Sequence, residues 1–478
     1  MERRSFTGFV KQHKRWLFMV LGVVAVFAVT FFILAEVASR GAAYIFNREI
    51  SRQDMLRGTI TVEKIKAHVN GDVSIENLVW KDRDGNLILQ APEGGFHVRP
   101  WDVVMRNFKS TTVQKLYLKD ALISVRFDEN MQVDFINPAA RKKLTGRGSV
   151  TGENEAADPG QGESSADSSA NKTKRLAAQK RLEEGLKNFN RNGRKLRLNL
   201  ILDRCRLEAY YRNRHYVFHQ ASLNLDLNTE DVTKIVFESG KLGGTMLGGG
   251  MTIDGLVDFR GTVPATNIDV AVREVDPSSL GFGLNVHDKM TLVAKFQGPV
   301  TQPVGTGTVR MQELHIPALY FTDVIGDIAY EDSVLKFSDV HAEIYRGKLV
   351  ARGDYNLDTR EYNIYGKGTE LDSRLALNDL RFSCLVDMNI ILRCDGNPRN
   401  TLTYGDFKSG KGRYSLIPFD SIQGRFSNQY KELGIYDVLI ATPFGDVSTN
   451  ALYISNGKLK LGRITLTDQG TGEAVHLK

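Results

Sequence analysis

The chain has 478 residues, 63 Lys and Arg against 56 Asp and Glu for a net charge of +7, 42% hydrophobic residues, 44 glycines and 12 prolines. That length suits roughly two to four domains or one elongated repetitive body, and the ordinary composition excludes a wholly disordered chain, a collagen, a disulfide-dense scaffold and a polytopic transporter. Arg3, Arg4, Lys11, Lys14 and Arg15 stand against Glu2 alone in residues 1–15. The basic excess is therefore largely local and is not the footprint of a nucleic-acid-binding surface.

The basic tail, residues 1–15, ends where an uncharged run begins at Trp16 and continues to Ala35. At 1.5 Å per residue this run spans about 30 Å, the thickness of a bilayer core. A transmembrane helix is expected over 16–37. Its anchor side chains are Trp16, Leu17, Phe18, Val20, Leu21, Val23, Val24, Phe27, Phe31, Phe32, Ile33 and Leu34, with Trp16 at the interface. Positive flanks stay cytoplasmic, so the body is expected across the membrane. The competing reading is a cleaved signal peptide ending near Val37-Ala38-Ser39, but the apolar run exceeds the ~7 to 15 residues of a normal signal.

Beyond the helix the hydrophobic pattern alternates with period two, in short segments closed by Gly, Asn or Asp. This predicts strands throughout, each apolar on one side. The first module is expected at 38–136, where Lys81 to Leu89 (KDRDGNLIL) reads as a hairpin with Gly85 supplying a positive φ. The same run lacks the later oxygen ligands of a calcium loop. Period two is lost between 137 and 193. Residues 148–171 are Gly, Ser and acidic residues with one large aliphatic, Val150, and cannot bury enough to fold. A basic helix with Leu182, Leu186 and Phe189 on one face closes this linker. It reads either as a lipid- or partner-docking helix or as a plain surface helix.

The body, 194–478, contains the clearest one-sided strands: Leu196, Leu198, Leu200 and Leu202; Leu223, Leu225 and Leu227; Ile268, Val270 and Val272; Leu459, Leu461, Ile464 and Leu466. It also repeats. FTDVIGDIAYEDSVLKFSDV from Phe321 aligns without a gap on FDSIQGRFSNQYKELGIYDV from Phe419, matching Gly326 to Gly424 and Asp339-Val340 to Asp437-Val438. A weaker copy places Asn267, Ile268 and Asp276 on Asn363, Ile364 and Asp372. Such repeats imply an extended array of stacked units. One-sided strands in an array either close two sheets into a sandwich or curl one sheet so that its apolar face lines a groove.

No Walker A loop, G-x-S-x-G elbow or H-E-x-x-H helix occurs, and GRGSVTG at Gly146 lies in the linker. His215 and His219 would be metal ligands on a helix, but their flanks are strand-like and set the Cα atoms about 13 Å apart. No catalytic residue, metal or cofactor is expected. Cys205, Cys384 and Cys394 read as isolated thiols, although Cys384 and Cys394 could pair if neighbouring strands brought them together.

The N-terminal anchor followed by GDVSIENLVWKDRDGNLI (Gly71 to Ile88) and VQKLYLKDALISVRF (Val113 to Phe127) resembles the opening of the AsmA-like proteins. The block from Phe321 to Leu357 is similar to the repeating unit of the AsmA and TamB group; Gly347-Lys348-Leu349 and Gly353 fit its closing strand, while Arg346 stands where that group often has glycine. The resemblance implies a mainly β fold: a single transmembrane helix followed by an elongated, repetitive antiparallel sheet curled into a groove. It implies a bacterial inner-membrane protein whose body lies in the periplasm and whose groove handles phospholipid, contributing to outer-membrane lipid transport. The alternative it carries is a scaffold that assembles outer-membrane proteins through strand edges. Candidate groove positions are Leu198, Leu225, Val270, Phe337, Ile435 and Leu461.

Overall fold

The computed structural model describes residues 58–68, 70–99, 101–102, 105, 113–127, 197–211, 214–280, 286–316, 319–429, 432–455, 458–468 and 470–477. The expected tail, the helix at 16–37 with its anchor side chains, and the linker at 137–193 lie outside them. Among the described residues no helix is long and apolar enough to cross a membrane. The protein is mainly β, with helices of no more than four residues among the elements described. It divides into two units, Met1–Gly281 with Val293–Pro303, and Phe282–Leu292 with Val304–Lys478.

The first unit holds β1 (Thr59–Ala67), β2 (Asp72–Lys81), β3 (Leu87–Val98), β4 (Val113–Lys119), β5 (Leu122–Phe127), β6 (Arg197–Tyr211), β7 (Arg214–Asn228), β8 (Val232–Ser239), β9 (Lys241–Gly244), β10 (Gly250–Asp258) and β11 (Ala265–Val275). The hairpin between β2 and β3 forms as its sequence predicts, with Gly85 at φ +83°. Both carboxylate oxygens of Asp82 accept from Asn86, at 2.7 and 2.8 Å, so they brace the turn.

Strand parity explains which residues form this unit's core. On β2, Val73 and Ile75 are buried, and so are Leu78 and Trp80, although two residues rather than one stand between Ile75 and Leu78. Asn77 between them has φ +52°, a bulge that restores the apolar side chains to the buried face. Arg204 (φ +51°) does the same on β6, between Leu202 and Cys205. Asp120 (φ +51°) interrupts the line of β4 and β5 opposite it, and the Arg204 guanidinium donates to both Asp120 oxygens at 3.1 and 3.0 Å.

The strands flanking the linker pair with one another: β5 runs parallel to β6, Leu122 opposite Arg206 through Phe127 opposite Tyr211. A parallel pair needs a return of a dozen or more residues. Deletion of 148–171 leaves 128–147 and 172–196 for that return, so the deleted chain is expected to keep the parent's cooperative urea transition. A lost or split transition would show that the segment is structural.

All three cysteines are free and buried. Cys384 and Cys394 do not pair: one immediately precedes the strand Leu385–Asp395 and the other lies near its far end, ten residues or about 33 Å on. Burial pushes the Cys205 thiol up to about 11. None of the three is expected to react with a thiol reagent at pH 8 until the chain is unfolded. The unfolded thiol loses its proton near 9 and the folded one near 11, so Cys205 favours the fold below pH 9 and this contribution is lost between pH 9 and 11. Thermal unfolding across that window, parent against Cys205→Ala, measures it.

β12 (Met290–Pro299) crosses the division between the units. The second unit continues with β13 (Val304–Ile316), β14 (Leu319–Glu331), β15 (Val334–Ile344), β16 (Gly347–Asn356), β17 (Glu361–Asp372), β18 (Phe382–Ser383), β19 (Leu385–Asp395), β20 (Leu402–Ser409), β21 (Gly412–Tyr414), β22 (Ile417–Phe419), β23 (Ser421–Gln429), β24 (Glu432–Thr442), β25 (Gly445–Ser455), β26 (Lys458–Leu461), β27 (Ile464–Thr467) and β28 (Ala474–Leu477). From β13 to β25 each long strand pairs antiparallel with the next; β18, β21 and β22 form a separate small sheet.

The sequence repeat is a structural repeat: β14, β15 and β16 correspond to β23, β24 and β25. Its matched residues build one device. Asp339 (φ +47°) and Asp437 (φ +51°) are bulges, and in each copy the two residues Asp-Val stand opposite one glycine, Gly326 or Gly424. In the weaker copy β11 corresponds in sequence to β17. Its matched aspartates, Asp276 and Asp372, both accept a hydrogen bond from the backbone N–H two residues on, at 2.8 and 3.0 Å, and so start one-turn helices.

Candidate functional site

The antiparallel register of the second unit stacks side chains in rows across the strands. One row runs Ile328, Phe337, Gly353, Ile364 and Leu392. Two residues along β19 a second begins: Ile390, Gly405, Phe426, Ile435, Leu452 and the register position of Leu461. Phe337, Ile435 and Leu461 therefore belong to one face of one sheet. The opposite face is polar: Arg352 lies over Tyr365 at 5.8 Å, Arg393 over Tyr404 at 5.7 Å, Asn389 donates to Asp406 at 2.9 Å, and Arg425 pairs with Asp437.

Glycines shape the apolar face. A Cβ on Gly366 would come within 2.8 Å of the Ile390 side chain, and one on Gly424 within 2.8 Å of the Phe407 ring. Large side chains lean sideways over glycines here. Phe337, Ile364, Ile390, Leu392, Phe407, Phe426 and Ile435 are all half-buried. Burial also pushes the phenols of Tyr355 and Tyr362 on this face upward.

At one end the face is covered. Met311, Phe321, Val324, Ala342, Ile344 and Leu371 form a buried cluster joined by Val286 and Met290. Phe419, Cys384 and Ile422 form another, on which Phe382, Val386, Phe407, Val438 and Ile440 pack. The face is thus dry at this end and half-open along its strands.

Leu198, Leu225 and Val270 have a different setting. They are side chains of the first unit and are buried with Leu200, Leu202, Leu223, Ile253 and Ile268. Leu225 is 2% exposed and stands between Leu200 and Ile235. Three of the six candidates thus belong to each unit.

His215 and His219 both lie on β7, as their flanks predict. His215 stacks on Tyr210 with centroids 4.2 Å apart, and its Nε2 is 3.5 Å from a Glu208 oxygen. Asp288, Glu313 and His315 place ligand-type atoms within 4.8 Å of one another, a grouping not apparent from their sequence spacing. Both Asp288 oxygens already accept from His315, one from its backbone N–H at 2.6 Å and one facing its Nδ1 at 2.8 Å. The backbone hydrogen bond, then the side-chain bond, hold the Asp288 carboxyl below its usual range. The geometry is that of a hydrogen-bonded Asp–His contact closing a strand end. Comparison with protein-family models, curated proteins and solved structures finds no match to this chain.

Proposed function

We propose that the half-buried face of the second unit holds phospholipid acyl chains, in a membrane-anchored envelope protein that contributes to lipid transport. The observation that carries this reading is the apolar, glycine-lined face running from β14 to β25 through β17, β19 and β20, nine strands or about 40 Å at the usual strand spacing. An apolar face that wide, left half-exposed, is tolerable when something apolar normally occupies it. Acyl chains gain roughly 0.8 kcal/mol per methylene buried, spread along the floor with no dominant residue. No covalent step is part of the function. The resemblance to the AsmA-like proteins and the uncharged run at 16–35 support the envelope setting and the single N-terminal anchor.

The test is mass spectrometry of lipid extracted from the purified full chain after expression in a double-membraned host. Stoichiometric phospholipid supports the proposal. A folded, lipid-free chain that retains outer-membrane β-barrel proteins would transfer the reading to an assembly scaffold.

A further inference from the structure

The end of β13 gathers side chains that lie far apart in the sequence. Glu313 and His315 are two residues apart on that strand, so both project from one face, and Tyr320 on β14 stands directly opposite His315. Asp288 reaches the same place from the segment ahead of β12. All four belong to the second unit. One donor atom from each of Asp288, Glu313 and His315 lies within 4.8 Å of the other two.

The donor set is mixed rather than merely acidic. An imidazole with two carboxylates suits a borderline first-row divalent cation such as zinc, whereas magnesium and calcium take oxygen ligands and a copper(I) site needs sulfur. Atoms bound to one zinc at about 2.1 Å stand no more than about 4.2 Å apart. The three donors therefore close on an ion by small rotations of Glu313 and His315, whose side chains are exposed. The Asp288 oxygen and the His315 Nδ1, 2.8 Å apart, already stand close to the separation of adjacent ligands, and the ion takes the place of the proton between them.

A surrounding set of contacts orients these ligands, as metal sites require. The second Asp288 oxygen accepts from the His315 backbone N–H at 2.6 Å, which fixes the carboxylate. The Tyr320 ring tilts against the imidazole at 4.5 Å. Partial burial, then a hydrogen bond to Glu313, push the Tyr320 phenol upward. Lys289 and His287 flank Asp288, and two carboxylates against Lys289 leave this group of residues negative with both histidines neutral.

We infer that Asp288, Glu313 and His315 bind one divalent cation of the zinc type. The ion fastens the segment ahead of β12 to the end of β13. Val286 and Met290, on either side of Asp288, pack on the buried cluster of Met311, Phe321 and Val324, so fixing Asp288 also fixes this part of the cover over the apolar floor. The inference stands apart from the acyl-chain reading, because the ligands do not depend on what the floor holds.

The test uses the purified full chain in detergent, without a histidine tag and stripped of metal by a chelator, titrated with zinc by calorimetry and checked by elemental analysis after dialysis. The expected result is one zinc per chain, bound about tenfold or more weakly by Asp288→Asn and by His315→Ala and lost in the double variant. His476→Ala, which removes an exposed histidine on β28, should bind as the parent does, and excess magnesium should not compete. Zinc should also raise the thermal transition of the parent and leave that of the double variant unmoved. Urea unfolding without metal shows whether each variant folds, and Glu313→Gln, at an exposed position, makes the same comparison if His315→Ala does not. A folded parent that binds no zinc, undiminished binding by the double variant, or an equal loss with His476→Ala would overturn the inference.

Discussion

Ile435→Asp is expected to strip phospholipid from a chain that still unfolds cooperatively, while Leu225→Asp is expected to unfold the first unit outright. Leu225 is 2% exposed between Leu200 and Ile235, so its replacement strands a carboxylate in a dry core. The cost is several kcal/mol, comparable with the whole ~5 to 15 kcal/mol of a domain. Ile435 is half-exposed on its row between Phe426 and Leu452. A carboxylate there keeps contact with water and costs about 1 to 2 kcal/mol, but it places a charge on the floor where acyl chains would lie. Urea unfolding and lipid content of each variant are the measurements. Parental lipid content in a folded Ile435→Asp chain would refute the assignment of the floor.

The second large effect is expected at the repeated bulge. Gly326→Val and Gly424→Val should each destabilise the second unit by about 1 to 3 kcal/mol, the range for overpacking a filled site. A Cβ at Gly326 would lie 2.7 Å from a Val340 methyl and 3.2 Å from its Cα, and at Gly424 it would meet the Phe407 ring at 2.8 Å, so something must shift at each. Gly410→Ala is the control, because a Cβ there meets nothing within 4 Å. Equal transitions for all three variants would show that the glycines are tolerated rather than required. The Gly-opposite-Asp-Val arrangement also accounts for why these residues, among so few identities, are shared by the two copies.

Much of this architecture is legible in the sequence because it is local. The alternation of Leu198, Leu200 and Leu202, and of Leu223 and Leu225, marks the buried face of β6 and β7, and Asp84-Gly85 marks the hairpin after β2. The repeat offset aligns β14 to β16 with β23 to β25. Other features escape a linear reading. Asn77 and Arg204 shift the alternation by one residue without any glycine to announce it. The parallel pairing of β5 with β6 joins strands separated by the whole linker. Asp288 reaches His315 only because the chain returns along a neighbouring strand.

The candidate floor shows the same division most clearly. Leu225 and Ile435 have equivalent signatures in the sequence, each an aliphatic side chain in a one-sided strand. Period two determines which side of a strand an aliphatic residue takes, since successive side chains must point to opposite faces. It does not determine what covers that side, which depends on contacts between residues far apart in the chain. Tertiary structure decides that Leu225 is core, that Ile435 is half-open, and that Asp288, Glu313 and His315 meet at one strand end. Sequence alone determined the strands, their faces, their repeat and the uncharged run at 16–35. Which apolar faces are covered was decided only by the fold, because covering is non-local.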